Sequence, residues 1–369
     1  MSERAEGELV PGECPRCGRG MEVGSPEMPP WLSDVLDKIC SEFDVLDFIS
    51  RENGVEAEVR SGNTKRAFGR LAERLRPSGY VPVIRERNGA LRLVVLKYPR
   101  PGPSNPAVNV LLLSLTCMST FLAGYFMIFG SIGDAALFSA SLLAMLGIHE
   151  LGHKLAARRN RVESTLPYFI PAPNLLGTMG AIISVRSPIP NRESLIEMGV
   201  AGPLAGFAAA VPVMAMGLWI SAPDPQGTSF VFVPVIFALG ELLVFGHLPP
   251  SLRLNPLIFS SWVMFLLTML NLVPAGQLDG GHVARGLMKR ETHYSLTMGM
   301  GLGLLVSGML WPEMPFWFWG LLILLFFRTY HPGALDDISG VSRKHVLLGL
   351  VAMAVFALCL PLPAGSPQA

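Results

Sequence analysis

Beyond residue 104 this chain almost runs out of charge. Of its 29 Lys and Arg and its 28 Asp and Glu, 16 of each fall in residues 1–104, which leaves 13 and 12 for the remaining 265 residues. Half of all residues are hydrophobic, only 15% are charged, and the mean hydropathy is +0.44. Those values exclude a wholly soluble protein and describe a soluble head followed by a membrane body. The net charge of +1 excludes the strongly basic balance of a dedicated nucleic-acid binder, and five scattered cysteines exclude a disulfide-framed secreted module.

The fold class that follows is a polytopic α-helical membrane protein of about six to eight transmembrane or re-entrant segments, with a small cytoplasmic α+β amino-terminal domain. Residues 1–30 read as a flexible lead with one Cys-x-x-Cys, and residues 31–98 as the small domain. Residues 99–106 form a proline-rich linker, 107–361 the membrane-embedded body and 362–369 a tail. The first thirty residues are charged and proline-rich, unlike a signal peptide, so the head is expected in the cytoplasm. Helical spacing of Trp31, Val35, Ile39, Phe43 and Leu46 predicts one helix over 31–50. A strand at 55–60, a helix at 64–76 and strands at 80–84 and 91–97, flanking the Asn88-Gly89 turn, complete a β-α-β-β pattern.

A membrane-crossing helix needs about 20 largely apolar residues. Segments 107–129, 135–158, 199–220 and 255–279 answer to that, with Asp134 as the expected cap of the second, and 295–310, 315–330 and 345–360 follow. Residues 161–192 are too rich in Pro and Gly for a straight helix and predict a re-entrant hairpin, allowed at membrane depth where protein or a wet cavity surrounds it. Lys154, Arg158, Arg159 and Arg161 put the end of the second helix on the cytoplasmic side. Arg285, Lys289 and Arg290 do the same for the segment after Asp279. The alternation holds only if residues 230–246, apolar but carrying Pro234 and Glu241, do not cross the bilayer.

The second apolar segment contains His149-Glu150-Leu151-Gly152-His153, an H-E-x-x-H. At 3.6 residues per turn the two histidines share one helix face, where two imidazoles can grip one Zn²⁺. Glu150, about 100° round the helix, can reach the open side of the metal and take a proton from water. Chance would produce the pattern on the order of 0.01 times in this composition. Two His and a Glu in an apolar helix also cost several kcal/mol, roughly, unless paired or ligated. A catalytic zinc takes a third protein ligand. Asp279, where the later apolar segment gives way to positive charge, lies on the same membrane side as His153 by the loop charges alone, and Pro274 is expected to break the helix before it.

Taken together, HELGH, AGPLAGF and NLVPAGQLDGG resemble the site-2 protease family of intramembrane zinc metalloproteases, over roughly residues 105–345. The likeness is greatest to the archaeal and plastid branch with a soluble amino-terminal extension, through Gly177-Thr178-Met179-Gly180-Ala181 and the run EMGVAGPLAGF. The resemblance implies that His149, His153 and Asp279 bind Zn²⁺ and that Glu150 activates water. It also implies that Asn271 holds the substrate backbone or the oxyanion. Residues 177–185, with Gly180 and Ile182 as substrate-binding candidates, then form a membrane-dipping hairpin. The implied activity is zinc endopeptidase cleavage of a transmembrane protein near the cytoplasmic face. The implied partners are that substrate and membrane lipids, with no nucleic acid; no partner of the head is specified. A metal transporter or channel, and a membrane scaffold with a structural zinc, remain as alternatives.

Other signals carry less. Cys14 and Cys17 form half a zinc ribbon, with Cys40 the one other head cysteine, while Cys117 and Cys359 read as packing residues. Glu241 is expected in water at the interface rather than lining a gate. His282 either supports a metal ligand or is a plain loop histidine. His247, His293, His331 and His345 read as solvated or interfacial, and Trp311, Phe316, Trp317, Phe318 and Trp319 as an outer aromatic belt. The topology as a whole makes a direct prediction: a reporter fused near Pro250 reads non-cytoplasmic, and a cytoplasmic reading contradicts it.

Overall fold

The computed structural model describes residues 29–51, 54–99, 102, 105–228, 232–311, 316–327 and 329–363. The Cys14–Cys17 motif, half of the proline-rich linker and most of the tail lie outside the described residues. The chain divides into two compact units, one made of residues 1–102, 190–192 and 334–340, the other of the rest.

In the first unit the order is α1 (Pro30–Cys40), β1 (Asp44–Arg51), β2 (Gly54–Arg60), α2 (Thr64–Leu75), β3 (Tyr80–Arg87) and β4 (Ala90–Lys97). The strands form one antiparallel sheet in the order β1-β2-β4-β3. Leu32, Val35, Leu36 and Ile39 of α1 and Ala67, Phe68, Leu71 and Leu75 of α2 bury their apolar stripes with Phe48, Ala57, Ile84, Leu93 and Val95 of the strands. Asn63 starts α2 by accepting a hydrogen bond from the Arg66 amide at 3.1 Å.

The helix expected over 31–50 is corrected: it ends at Cys40, and residues 44–51 pair with β2. Phe43 and Leu46 fit a helical period by coincidence, and pairing with a neighbouring strand overrides it. A second feature was not anticipated. Residues 334–340 act as a strap on this unit. The Ile84 amide and the Arg85 guanidinium donate to the Leu335 carbonyl at 3.0 and 2.8 Å, while Leu335 and Ile338 pack on the core. The strap covers the β3 edge, which would otherwise present unpaired backbone groups.

In the second unit α3 (Pro106–Ala123) runs into a π-helical turn at Gly124–Phe129, followed by α4 (Ile132–Arg159), β5 (Tyr168–Pro171), β6 (Thr178–Ile182) and α5 (Arg192–Trp219). The first helix with its π turn, α4 and α5 are 24, 28 and 28 residues long, enough by length and composition to cross a membrane. Then come β7 (Pro223–Thr228), β8 (Phe232–Pro234), α6 (Val235–Phe245), α7 (Pro256–Leu272), α8 (Asp279–Leu287), α9 (Arg290–Leu310), α10 (Phe316–Phe326), α11 (Arg343–Cys359) and β9 (Pro361–Pro363). With 11 residues, α6 reaches about 16 Å, roughly half of a hydrocarbon core.

α4 is central. Its Phe138, Leu142, Met145 and Leu146 share a core with Ala210, Met214 and Leu218 of α5 and Ile258, Met264 and Phe265 of α7. Ser141 donates to Ser260 across the α4–α7 contact at 2.8 Å. Three expectations are corrected here. The cap of α4 is Ser131, whose hydroxyl accepts from the Asp134 amide, so Asp134 sits inside the first turn. The segment expected to continue from 255 to 279 stops at Leu272, because Pro274 cannot extend it. Glu241 is buried, not solvated, on α6, a helix that packs against α11 and, at Gly240, against Met214 and Leu218.

Candidate metal centre

His149 and His153 lie one turn apart on α4, and both are buried. The Nδ1 of His153 bonds to the Met198 carbonyl of α5 at 2.8 Å. A carbonyl only accepts, so Nδ1 carries the proton and Nε2 keeps its lone pair for a metal. Asp279 enters from the first turn of α8. Its Oδ2 stands 3.5 Å from His149 Nε2 and 3.2 Å from His153 Nε2, and the two Nε2 atoms are 3.1 Å apart. Donors about 2.0–2.1 Å from a tetrahedral zinc are about 3.3 Å from one another. The three atoms therefore form one face of such a tetrahedron, and two imidazoles with a carboxylate are an apt donor set for Zn²⁺. Among the described residues this is the group of His, Cys, Asp and Glu close enough to hold an ion.

The space beside these donors is kept by glycines. Gly199, Gly202 and Gly206 share one face of α5, by their spacing of three and four. A side-chain carbon at Gly202 would collide with Nε2 of His153. One at Gly206 would press on Met264 and lie 3.1 Å from His149 Nδ1, and one at Gly199 would lie 2.6 Å from the Asp279 carbonyl oxygen. Gly152 on α4 returns the approach, since a carbon there would come within 2.5 Å of the Ala201 carbonyl oxygen. The AGPLAGF run thus lets one helix lie against the metal-binding face of another.

Glu150 reaches the same spot from the next position of α4, its Oε1 4.0 Å from His149 Nε2. The backbone amide of Ile183, just past β6, approaches its carboxylate as a donor. Asn271, at the end of α7, brings its Nδ2 to 3.4 Å from His149 Nε2. The β5–β6 hairpin is bolted to α3. Asn109 donates to the Leu166 and Pro167 carbonyls at 3.0 and 2.9 Å, and Ser119 donates to the Gly177 carbonyl at 2.6 Å. Lys154 holds its base through the Ser164 and Thr165 carbonyls, both at 3.1 Å. Gly177 has φ of 73° and packs against the α3 backbone so closely that no side chain fits. Gly180, at φ 97°, and the exposed Ile182 lie on β6, the strand that ends one residue before Ile183. Sequence reading missed Met198 and Ile183, which act through backbone atoms and leave no residue-type signal.

The stretch 273–278 before Asp279 is held from α9 and from the residue just after α10. The Thr297 hydroxyl accepts from the Gly276 amide at 3.0 Å, and the Phe327 ring fills the space at Gly276. His293, His331 and His345, expected near water, are instead buried, and His282 bonds to His331. His345 sits between Glu193 and Glu197, 3.5 and 3.1 Å away, where α5 and α11 begin. His247 is exposed.

A model of peptidase family M50 matches residues 137–306. The probable zinc metalloprotease EGY2, chloroplastic, of Arabidopsis thaliana is 34% identical over 232 residues, 59% of this chain and 40% of that protein. The probable zinc metalloprotease EGY1, chloroplastic, of the same plant is 33% identical over 244 residues, 62% and 43% of the two chains. EGY2 of Oryza sativa subsp. indica is 32% identical over 231 residues, 60% and 41%. The chain spans about two fifths of the length of these curated relatives. No solved structure matches it.

The glycine face makes a prediction. Gly202→Ala lowers zinc content of the purified protein at least about tenfold, while Gly206→Ala, which meets the flexible end of Met264, lowers it less. Elemental analysis reads both, and full zinc in Gly202→Ala contradicts the assignment.

Proposed function

We propose, on the match of residues 137–306 to a model of peptidase family M50, that this protein is an intramembrane zinc metalloprotease. It hydrolyses peptide bonds of transmembrane protein substrates near the cytoplasmic face, in regulated intramembrane proteolysis. The observation that carries the reading is the closed triangle of His149, His153 and Asp279 donors with the Glu150 carboxylate beside it. A transporter would favour ligands spaced along a path, whereas these gather at one place next to a base. The proposed setting is a cell membrane, with a cytoplasmic amino terminus, about six to eight crossing or re-entrant segments within residues 107–361, and lipids and the substrate helix as partners.

His149, His153 and Asp279 would hold the ion. Bound there, zinc supplies a Lewis acid for the scissile carbonyl and brings water within reach of a weak base at neutral pH. Glu150 takes the proton of the attacking water on a carboxylate oxygen and passes it to the leaving amide nitrogen. The Asn271 amide, 3.4 Å from His149 Nε2, is placed to donate to the carbonyl oxygen as charge develops. A substrate helix hides its amides in its own hydrogen bonds and must unwind before water can attack. β6 offers the extended backbone a strand to pair with, and it ends at Ile182, one residue before Ile183, whose amide meets Glu150. Substrate pairing and the base are thereby set along one strand.

Purified protein mixed with a panel of single-pass transmembrane substrates tests the reading. Glu150→Gln keeps its zinc and loses cleavage by about 10²–10⁴-fold; cleavage that survives in this variant contradicts the proposal. Ile182→Pro removes an amide from β6 and breaks its pairing. It is expected to cut cleavage sharply with zinc content unchanged, and undiminished cleavage rules out recognition on that strand.

A further inference from the structure

Three histidines, His293 and His331 buried and His282 partly so, cluster about the first turn of α8 and are not among the three metal donors. His282 is on α8, one turn after Asp279; His331 is in the loop between α10 and α11; His293 is on the first turn of α9. Their hydrogen bonds run in one direction. The Gly333 amide donates to His331 Nδ1 at 2.9 Å, so that nitrogen holds a lone pair. Burial, with His282 alongside, pushes His331 down to about 3, so the ring is neutral and its one proton is on Nε2. That proton is donated to His282 Nδ1, 2.8 Å away. The His293 ring stands edge-on to His331, with centroids 5.6 Å apart and planes at 79°.

The position of this pair matters because α8 is not continuous with α7. Residues 273–278 intervene, so α8 does not inherit its rotation from α7 by helix continuity, and its first turn is placed by packing, with Gly280 against the Leu272 carbonyl. Asp279 and His282 stand three residues apart, on the same side of the first turn. The chain just after α10 holds both ends of the stretch: Phe327 packs at Gly276, and His331 bonds to His282. Gly199 of α5 closes the far side, where a side-chain carbon would lie 3.0 Å from His282 Cβ.

We propose that His331 is a positioning residue for the metal centre, which through its hydrogen bond to His282 fixes the first turn of α8 and so the Asp279 carboxylate. The proposal rests on the reading of His149, His153 and Asp279 as the zinc ligands. Groups that orient a ligand typically change metal affinity by about 10–100-fold when removed. Glutamine can place an amide donor where His331 has Nε2, and leucine cannot. Asparagine can place an acceptor where His282 has Nδ1, and alanine cannot.

Full-length protein in detergent is titrated with zinc against a chelator, and its cobalt-substituted form is examined by visible absorption. His331→Leu is expected to weaken zinc about tenfold or more and to alter the cobalt bands. His331→Gln is expected to stay within about threefold of wild type with its cobalt spectrum kept. Should His331→Leu not fold, His282→Ala and His282→Asn give the same contrast, with affinity lost in the first and kept in the second. The double variant His331→Leu/His282→Ala is expected to bind no more weakly than His282→Ala alone, as two partners in one interaction should. Wild-type affinity in His331→Leu or His282→Ala, or equal losses in the conservative and disruptive variants, overturns the proposal. A wild type that takes up no zinc overturns the metal-centre reading first, and is told apart from failure of the histidine pair by that fact.

Discussion

The close approach of α4 and α5 is the contact on which the rest depends. Helices in an apolar setting gain little from hiding hydrophobic side chains from one another, so close packing has to come from small residues. Gly152 on one helix and Gly199, Gly202 and Gly206 on the other remove the side chains that would separate them. The result is not only packing. It brings the Met198 carbonyl to Nδ1 of His153, sets that ring's tautomer, and leaves open the volume next to its Nε2. It also brings Gly199 against the backbone of Asp279, so one helix face backs all three metal donors.

The same demand for internal satisfaction shapes the hairpin. Irregular backbone at membrane depth must find partners within the protein. Asn109, Ser119 and Lys154 supply them to carbonyls at 164–167 and 177, while Thr165 and Thr178 bond across the hairpin. Side chains that look unremarkable in an apolar run therefore decide where β6 lies, and β6 decides what stands beside Glu150.

Much of the site was legible in the sequence because it is local or because charge marks depth. His149, Glu150 and His153 follow from helix period alone, and Asp279 from the positive residues after it. The helix ends expected at 64, 107 and 255 lie within a residue of those observed, because Asn63, Asn105 and Asn255 each cap a helix start. Long-range pairing was not legible. Residues 44–51 are a strand because residues 54–60 lie beside them, although their apolar spacing also suits a helix. The strap at 334–340 and the burial of His293 and His331 depend on chain folded far away in sequence, and Glu241 is hidden by α6 packing against neighbours. No periodicity encodes those meetings.

X-ray absorption at the zinc edge of the purified protein tests the central claim most directly. The account predicts a first shell of nitrogen and oxygen alone, with the outer-shell scattering of two imidazoles, reduced to one when either His149 or His153 is replaced. Sulfur at about 2.3 Å, or an imidazole signal that survives both replacements, would place the metal elsewhere and contradict it.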